Sequence, residues 1–377
     1  MLNRHLLNVS GGSRHLQTPA LVVDLEKLRT NLDRMQARCE HHTHVLRPHT
    51  KTHKCVAIAK LQVERGAVGI CCAKLSEAEA MSRGGLENIL VTSPVVTDEG
   101  IRRAISLSRT TKELILTIDN KSVARLTDAM AKSAQTELNV IMDIDPGMHR
   151  TGIPLGDEGL SLAHALKQDC PSLRFRGVQF YSGDLMHVLD YSVRRNRYLA
   201  RSERLWAFLR ELHEMGIDTE IVTGGGTGSY EFDFESDVMT ELQAGSYAFM
   251  DRQYLEIESG SGGTLEFDPS LFVFTTVVSS NHSHMATTDA GLKSFATDDK
   301  TPLIVDGAPR ESHYSFMGDE HGAIHWAIDD CKLDVGSLVS TVVPHCDPTI
   351  NLYNELHVIH RDKLVDIWPI EARGHTQ

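Results

Sequence analysis

The stretch RPHTKTHK, Arg47 to Lys54, gathers one arginine, two lysines and two histidines into eight residues. A lysine held among cations gives up its proton more readily, which prepares an amine to attack a carbonyl such as the aldehyde of pyridoxal phosphate. If the preceding VL continues as a strand, alternation places Arg47, His49, Lys51 and His53 on one face, with Thr52 and Lys54 on the other. A solvated basic patch, or a phosphate or nucleic-acid contact, is the competing reading of the same residues. A second candidate is VVPHCDPT, 342–349. On a strand, His345 and Asp347 share a face and can chelate one ion while Cys346 points away. Imidazole plus carboxylate without a paired thiolate suits Mn²⁺, Mg²⁺ or another hard divalent ion better than structural zinc, and two ligands leave the site open. A buried, hydrogen-bonded His–Asp pair satisfies the same pattern. The third candidate is a pair of small-residue loops, GGGTGSY (224–230) and AGSY (244–247), which let backbone N–H groups approach an anion. GGGTGSY is equally compatible with a flexible loop, and it matches neither the P-loop nor the GxGxxG fingerprint.

Such groups need a frame. Short β-rich runs recur at 20–24, 44–51, 68–73, 88–93, 113–119, 138–145, 175–183, 220–225 and 242–250, with helical patterns between most of them. The first helix places Leu25, Leu28, Leu32 and Met35 on one apolar face, with Asp24 as N-cap. This alternation predicts a parallel α/β fold, and nine strands become the eight of a (β/α)8 barrel if ALVVD (20–24) belongs elsewhere. After about residue 255 come LFVFTTVVSS, PLIVDG, CKLDVGSLVSTVVP, ELHVIH and KLVDIWPIEA, short runs between turn residues that predict an all-β domain. ALVVD can pair with that domain. The expected organisation is a segment and strand over 1–24, a barrel over 25–255 and a β domain carrying the metal site over 256–377. Barrel enzymes carry their chemistry at the C-terminal ends of the strands. Those ends bear Lys51, then Asp145 and Arg150, then Tyr181 and His187, then the two small-residue loops, all on one rim.

A chain of 377 residues that is 41% hydrophobic buries a large core. Its net charge of −13 argues against non-specific nucleic-acid binding and against a basic membrane-surface role. No apolar run is long enough for a membrane span or a secretory signal. Seven scattered cysteines fit a reducing compartment better than a disulfide framework, so a soluble, cytoplasmic protein is expected.

Together, RPHTKTHK, CCAKLSEAEA (71–80), DIDPGMHRTG, YSGDLMH, GGGTGSY, DAGLKSF (289–295), GDEHG (318–322) and HCDPTINLY (345–353) resemble the D-threonine aldolase family of fold-type III pyridoxal-phosphate enzymes. That group also holds alanine racemase and eukaryotic-type D-serine dehydratase. The resemblance covers nearly the whole chain and implies an alanine racemase-like barrel and β domain assembled as a homodimer. It implies that Lys51 carries the cofactor and that Gly225, Gly226, Thr227, Gly245, Ser246 and Tyr247 cradle its phosphate. Arg150 then lies near the phenolic oxygen, and Gln243 faces the pyridine nitrogen as a neutral, weaker electron sink than an acid. Tyr181 and His187 line the substrate side, and His345 with Asp347 holds a divalent metal. The implied reaction is retro-aldol cleavage of a D-β-hydroxy-α-amino acid, with His187 or a metal-bound water as base. D-threonine gives glycine and acetaldehyde; D-phenylserine and D-3-hydroxyaspartate are alternative substrates. In the related D-serine dehydratases zinc is held by His and a Cys at HxC, whereas position 347 here is Asp. A non-catalytic cofactor-binding protein of the same barrel group is the alternative from a different class, and such proteins generally lack the β domain.

Overall fold

The structure is a computed structural model that describes residues 2–329 and 331–377. Strand β1 (Ala20–Asp24) leads into the helix Leu25–His41, whose first N–H groups are capped by Asp24 accepting from Glu26 and Lys27. Eight parallel strands follow: β2 (Val45–Leu46), β3 (Ile70–Cys72), β4 (Asn88–Val91), β5 (Glu113–Ile118), β6 (Leu138–Asp143), β7 (Leu173–Phe180), β8 (Ile221–Gly224) and β9 (Glu241–Leu242). They run in the order β3 to β9 and then β2. The seam between β2 and β3 is closed by a bridge from His49 to Cys71 and by the Val68 N–H donating to Leu46 O at 2.9 Å. Because both faces are covered, these strands read as apolar runs rather than alternating ones. Cys71, Leu90, Ile115, Ile141 and Ile221 fill the interior, and a larger apolar layer packs the outer faces against the helices.

The remaining strands form the β domain: β10 (Leu271–His282), β11 (Met285–Thr288), β12 (Leu303–Asp306), β13 (His313–Phe316), β14 (Gly322–His325), β15 (Leu338–Val342), β16 (Glu355–His360) and β17 (Lys363–Pro369). β1 lies between β10, antiparallel, and β16, parallel, so the chain starts in this sheet, makes the barrel and returns. The fold is therefore the expected alanine racemase-like one. One apolar core joins the two parts, running from Leu28 and Leu32 through Tyr247 and Phe249 to Val273, Val339 and Leu356. No helix among the described residues is long and apolar enough to cross a membrane.

Three local expectations are overturned. The run 44–51 is a strand only at Val45–Leu46. Backbone pairing persists to His49, whose N–H donates to Ala244 O, and Thr50–Thr52 then forms a 3₁₀ turn. Similarly, 242–250 leaves the sheet after Leu242 and turns as 3₁₀ at Ser246–Ala248. HCDPT is no strand either: β15 ends at Val342, and Cys346–Ile350 is a short helix with His345 as its N-cap. Pro344 removes a ladder donor, and Pro348 is tolerated in a helix's first turn, where N–H groups have no intrahelical partner.

Candidate active site

At the C-terminal ends of the barrel strands lies a cavity of about 540 Å³, lined among others by Lys51, Arg150, Tyr181, Gln243 and Tyr254. Lys51 enters it from the 3₁₀ turn, not from strand alternation. Its Nζ sits 3.0 Å from the Asp347 carboxylate, so a barrel lysine meets a β-domain acid. This overturns the expected basic cluster. Asp347 raises the Lys51 pKa against the opposing effect of burial. Arg47 is buried in a two-point pair with Glu241 at 2.8 and 2.9 Å, His53 contacts Gln62, and Lys54 Nζ donates to His375 O at 3.1 Å. Burial, then Lys51, pushes His49 down, and burial pushes His53 down to about 4, so neither is a cation at neutral pH. Lys51 is the cation of that stretch that reaches the cavity.

The turn is anchored by a residue the motif reading passed over. Glu77, fully buried in the first turn of helix Leu75–Arg83, accepts from Thr50 Oγ1 at 2.6 Å and from the Ala73 N–H at 2.9 Å. It ties the Lys51 turn to the loop after β3. Burial pushes its carboxyl up. Its sequence signal is an acid buried at a helix start directly after a barrel strand, inside CCAKLSEAEA.

Gly226, Thr227, Gly245 and Ser246 line the cavity; Gly225 and Tyr247 do not. Gly225 has φ +67°, and a Cβ there would lie 2.3 Å from the Asp233 carboxylate, so it shapes the loop from behind. Tyr247 is buried, its N–H donating to Thr227 Oγ1 at 2.8 Å and its hydroxyl accepting from Gln62. Arg150 stands with its guanidinium 5.4 Å from the Tyr181 ring centre. Its loop is pinned by Asp145, which accepts from the N–H groups of Gly147, Met148 and His149, and by Thr151 Oγ1 donating to Asp143 at 2.8 Å. A lysine, a cup of small residues and a guanidinium with no ion pair among the described residues, all around one cavity, fit an aldehyde cofactor with a phosphate tail.

His187 packs on Tyr254, ring centres 4.6 Å apart, and lies 6.4 Å from the His345 ring. Burial, then His345, lowers its pKa to about 4, leaving it able to accept a proton at neutral pH. His345 Nδ1 contacts the Asp298 carboxylate at 2.7 Å, an arrangement that orients Nε2 as a donor to metal. Burial pushes the Asp347 carboxyl up, but Lys51 and then His345 hold it below the usual carboxylate range. Among the described residues no three His, Cys, Asp or Glu side chains converge as a metal cluster. Asp347 is instead engaged by Lys51, and His345 by Asp298.

Residues 23–253 match the family model for the alanine racemase N-terminal domain, and 270–359 match that of a putative serine dehydratase domain. The chain is 38% identical over 365 residues to a D-threonine aldolase of Arthrobacter sp, covering 96% of this chain and 94% of that protein. It is 35% identical over 364 residues to a 3-hydroxy-D-aspartate aldolase of Paracoccus denitrificans (strain Pd 1222), covering 95% and 92%. The crystal structure of D-threonine aldolase from Filomicrobium marinum superposes with a TM-score of 0.91 at 34% identity, covering 96% of each chain.

Proposed function

We propose that this chain, which belongs to the D-threonine aldolase family of fold-type III proteins, cleaves D-threonine to glycine and acetaldehyde with pyridoxal phosphate and a divalent ion. The observation that carries the reading is the meeting of Lys51 with Asp347 at the cavity, where a dehydratase of this group has a cysteine. Pyridoxal phosphate, held through Lys51 with its phosphate on Gly226, Thr227, Gly245 and Ser246, supplies an electron sink for the Cα–Cβ bond's electrons. Gly225 and Tyr247 support that cup, Arg150 would lie near the cofactor's phenolic oxygen with Tyr181 on the substrate side, and Gln243 would meet the ring nitrogen. His345 and Asp347 would hold the ion, Mn²⁺ or Mg²⁺, which would supply Lewis-acid polarisation of the β-hydroxyl. His187, neutral and close to His345, takes the hydroxyl proton on Nδ1 or Nε2. The β domain that non-catalytic relatives of the barrel generally lack is present. A homodimer in which a second copy covers the cavity rim is part of this reading. Free cysteines throughout support a cytoplasmic setting.

Chromatography of a D-threonine digest tests the reaction: glycine and acetaldehyde are expected, with no turnover of L-threonine and little pyruvate from D-serine. Chelation should abolish activity and Mn²⁺ restore it. Oxobutanoate and ammonia as main products would establish the dehydratase reading. A second substrate, 3-hydroxy-D-aspartate, is favoured by Lys74, which lines the cavity and makes no ion pair among the described residues. Lys74→Ala should then lower kcat/KM for 3-hydroxy-D-aspartate at least about tenfold, the worth of one charge-assisted hydrogen bond, while sparing D-threonine. Equal loss for both substrates would remove that reading.

A further inference from the structure

We propose that Gln243 presents its carbonyl oxygen to the ring nitrogen of bound pyridoxal phosphate, and that Asp143, acting through Gln179, is the positioning residue that fixes this polarity and keeps the nitrogen protonated. The inference rests on the cofactor site proposed above. Its starting point is an amide whose orientation has only one solution. Gln179, on β7 and buried, places Nε2 2.9 Å from Asp143 Oδ1 and 3.0 Å from the Thr92 carbonyl oxygen. A carbonyl accepts only, and an ionised carboxylate accepts only, so both hydrogens of the Gln179 amide are committed and its oxygen faces the other way. The reversed amide would set oxygen against two acceptors. Burial pushes the Asp143 carboxyl up to about 6, which leaves it ionised at neutral pH, and Thr151 Oγ1 donates to its second oxygen at 2.8 Å.

Gln179 Oε1 is therefore an acceptor pointed at Gln243. Gln243 answers with its own NH₂, donating to Gln179 Oε1 at 3.2 Å and to Thr223 Oγ1 at 3.0 Å. Both of its hydrogens are now used. What remains is Gln243 Oε1, on a side chain 4% exposed that lines the cavity, with no donor among the described residues bonded to it. An acceptor open to the cavity cannot bond to an unprotonated pyridine nitrogen, since both carry lone pairs. It bonds well to a ring N–H, and the hydrogen bond is charge-assisted. The neutral glutamine thus does an acid's work, because the negative charge sits two side chains back on Asp143. A protonated ring is the stronger electron sink, so the relay reverses the expectation, drawn from residue type alone, of a weak one.

The experiment loads the whole protein with pyridoxal phosphate labelled with ¹⁵N in the ring and records the ¹⁵N chemical shift, together with mass spectrometry after borohydride reduction. The expected result in the wild type is a shielded, pyridinium-type shift with the reduced adduct on Lys51. Asp143→Asn removes the negative charge that the relay sets behind the ring nitrogen, while its amide oxygen can still accept from Gln179. It should move the shift towards free pyridine without changing cofactor content, and Gln243→Met should do the same by removing the acceptor. A free-pyridine shift in the wild type overturns the proposal even if neither variant folds. A pyridinium shift retained in Asp143→Asn overturns the role of Asp143. Absence of the Lys51 adduct in the wild type overturns the cofactor site itself, and the inference with it.

Discussion

Lys51 and Lys54 share a motif but not an environment. Lys51 Nζ sits in the cavity against Asp347, while Lys54, at φ +50°, turns back to donate to His375 O. Lys51→Ala should abolish the borohydride-reducible adduct, and Lys54→Ala should retain it, both read by intact-mass spectrometry; a retained adduct in Lys51→Ala would end the assignment. A different residue governs the response to pH. Asp233 is fully buried, accepts from the hydroxyls of Tyr198 and Ser229, and is pushed up to about 7 by burial. The folded chain holds that proton more tightly than the unfolded chain, whose carboxyl titrates near 4. Asp233 therefore contributes stability below about pH 4 that is lost progressively up to about pH 7, with a slope of up to about 1.4 kcal/mol per pH unit. Denaturant titrations from pH 5 to 8 should show this decline, and Asp233→Asn should flatten it. An unchanged slope in the variant would assign the decline to other groups.

Among the elements, the barrel glycine with the least room for a side chain is Gly177, where β7 bulges between the Val140 and Ile141 pairings. Gly177 has φ +144°, and a Cβ there would lie 1.9 Å from the Ile221 carbonyl oxygen. Gly177→Ala should cost at least about 1–3 kcal/mol from backbone strain alone, seen as a lower denaturation midpoint; a midpoint equal to wild type would mean that β8 can give way. The barrel strands were legible because a strand covered on both faces must be an apolar run, as in ELILTI and NILV. The short strands β11, β13 and β14 were not. MATT, HYSF and GAIH mix histidine, glycine and hydroxyl residues, and they exist because they pair with one another and with β10. The site divides the same way. Lys51, Arg150 and the small-residue loops lie in dense local motifs, whereas Asp143, Gln179 and Glu77 work through partners on other elements. The polar residues inside LNVIMD and GVQFY were the available signal, since a buried polar group must have a partner.

On the scale of the whole molecule, the site is split between barrel and β domain, and so is the core. Lys51 comes from one and Asp347 from the other, while Leu28, Tyr247, Val273 and Val339 belong to a single apolar cluster. β1 strengthens the join, because the first strand of the chain is hydrogen-bonded between β10 and β16 before the barrel begins. Separating the two parts would expose that cluster and strand edges at once, so neither part has a stable state of its own in which to wait. The chain should therefore unfold in one calorimetric transition whose van't Hoff and calorimetric enthalpies agree for each cooperative unit. If the proposed homodimer forms, the transition temperature should also rise with protein concentration, because association stabilises the native state by mass action. A barrel excised at residues 25–255 should lose β1 and the β-domain half of the core, and fail to give a cooperative transition. Two resolved transitions in the intact chain, or a cooperatively folded excised barrel, would show that the shared core does not couple the two parts.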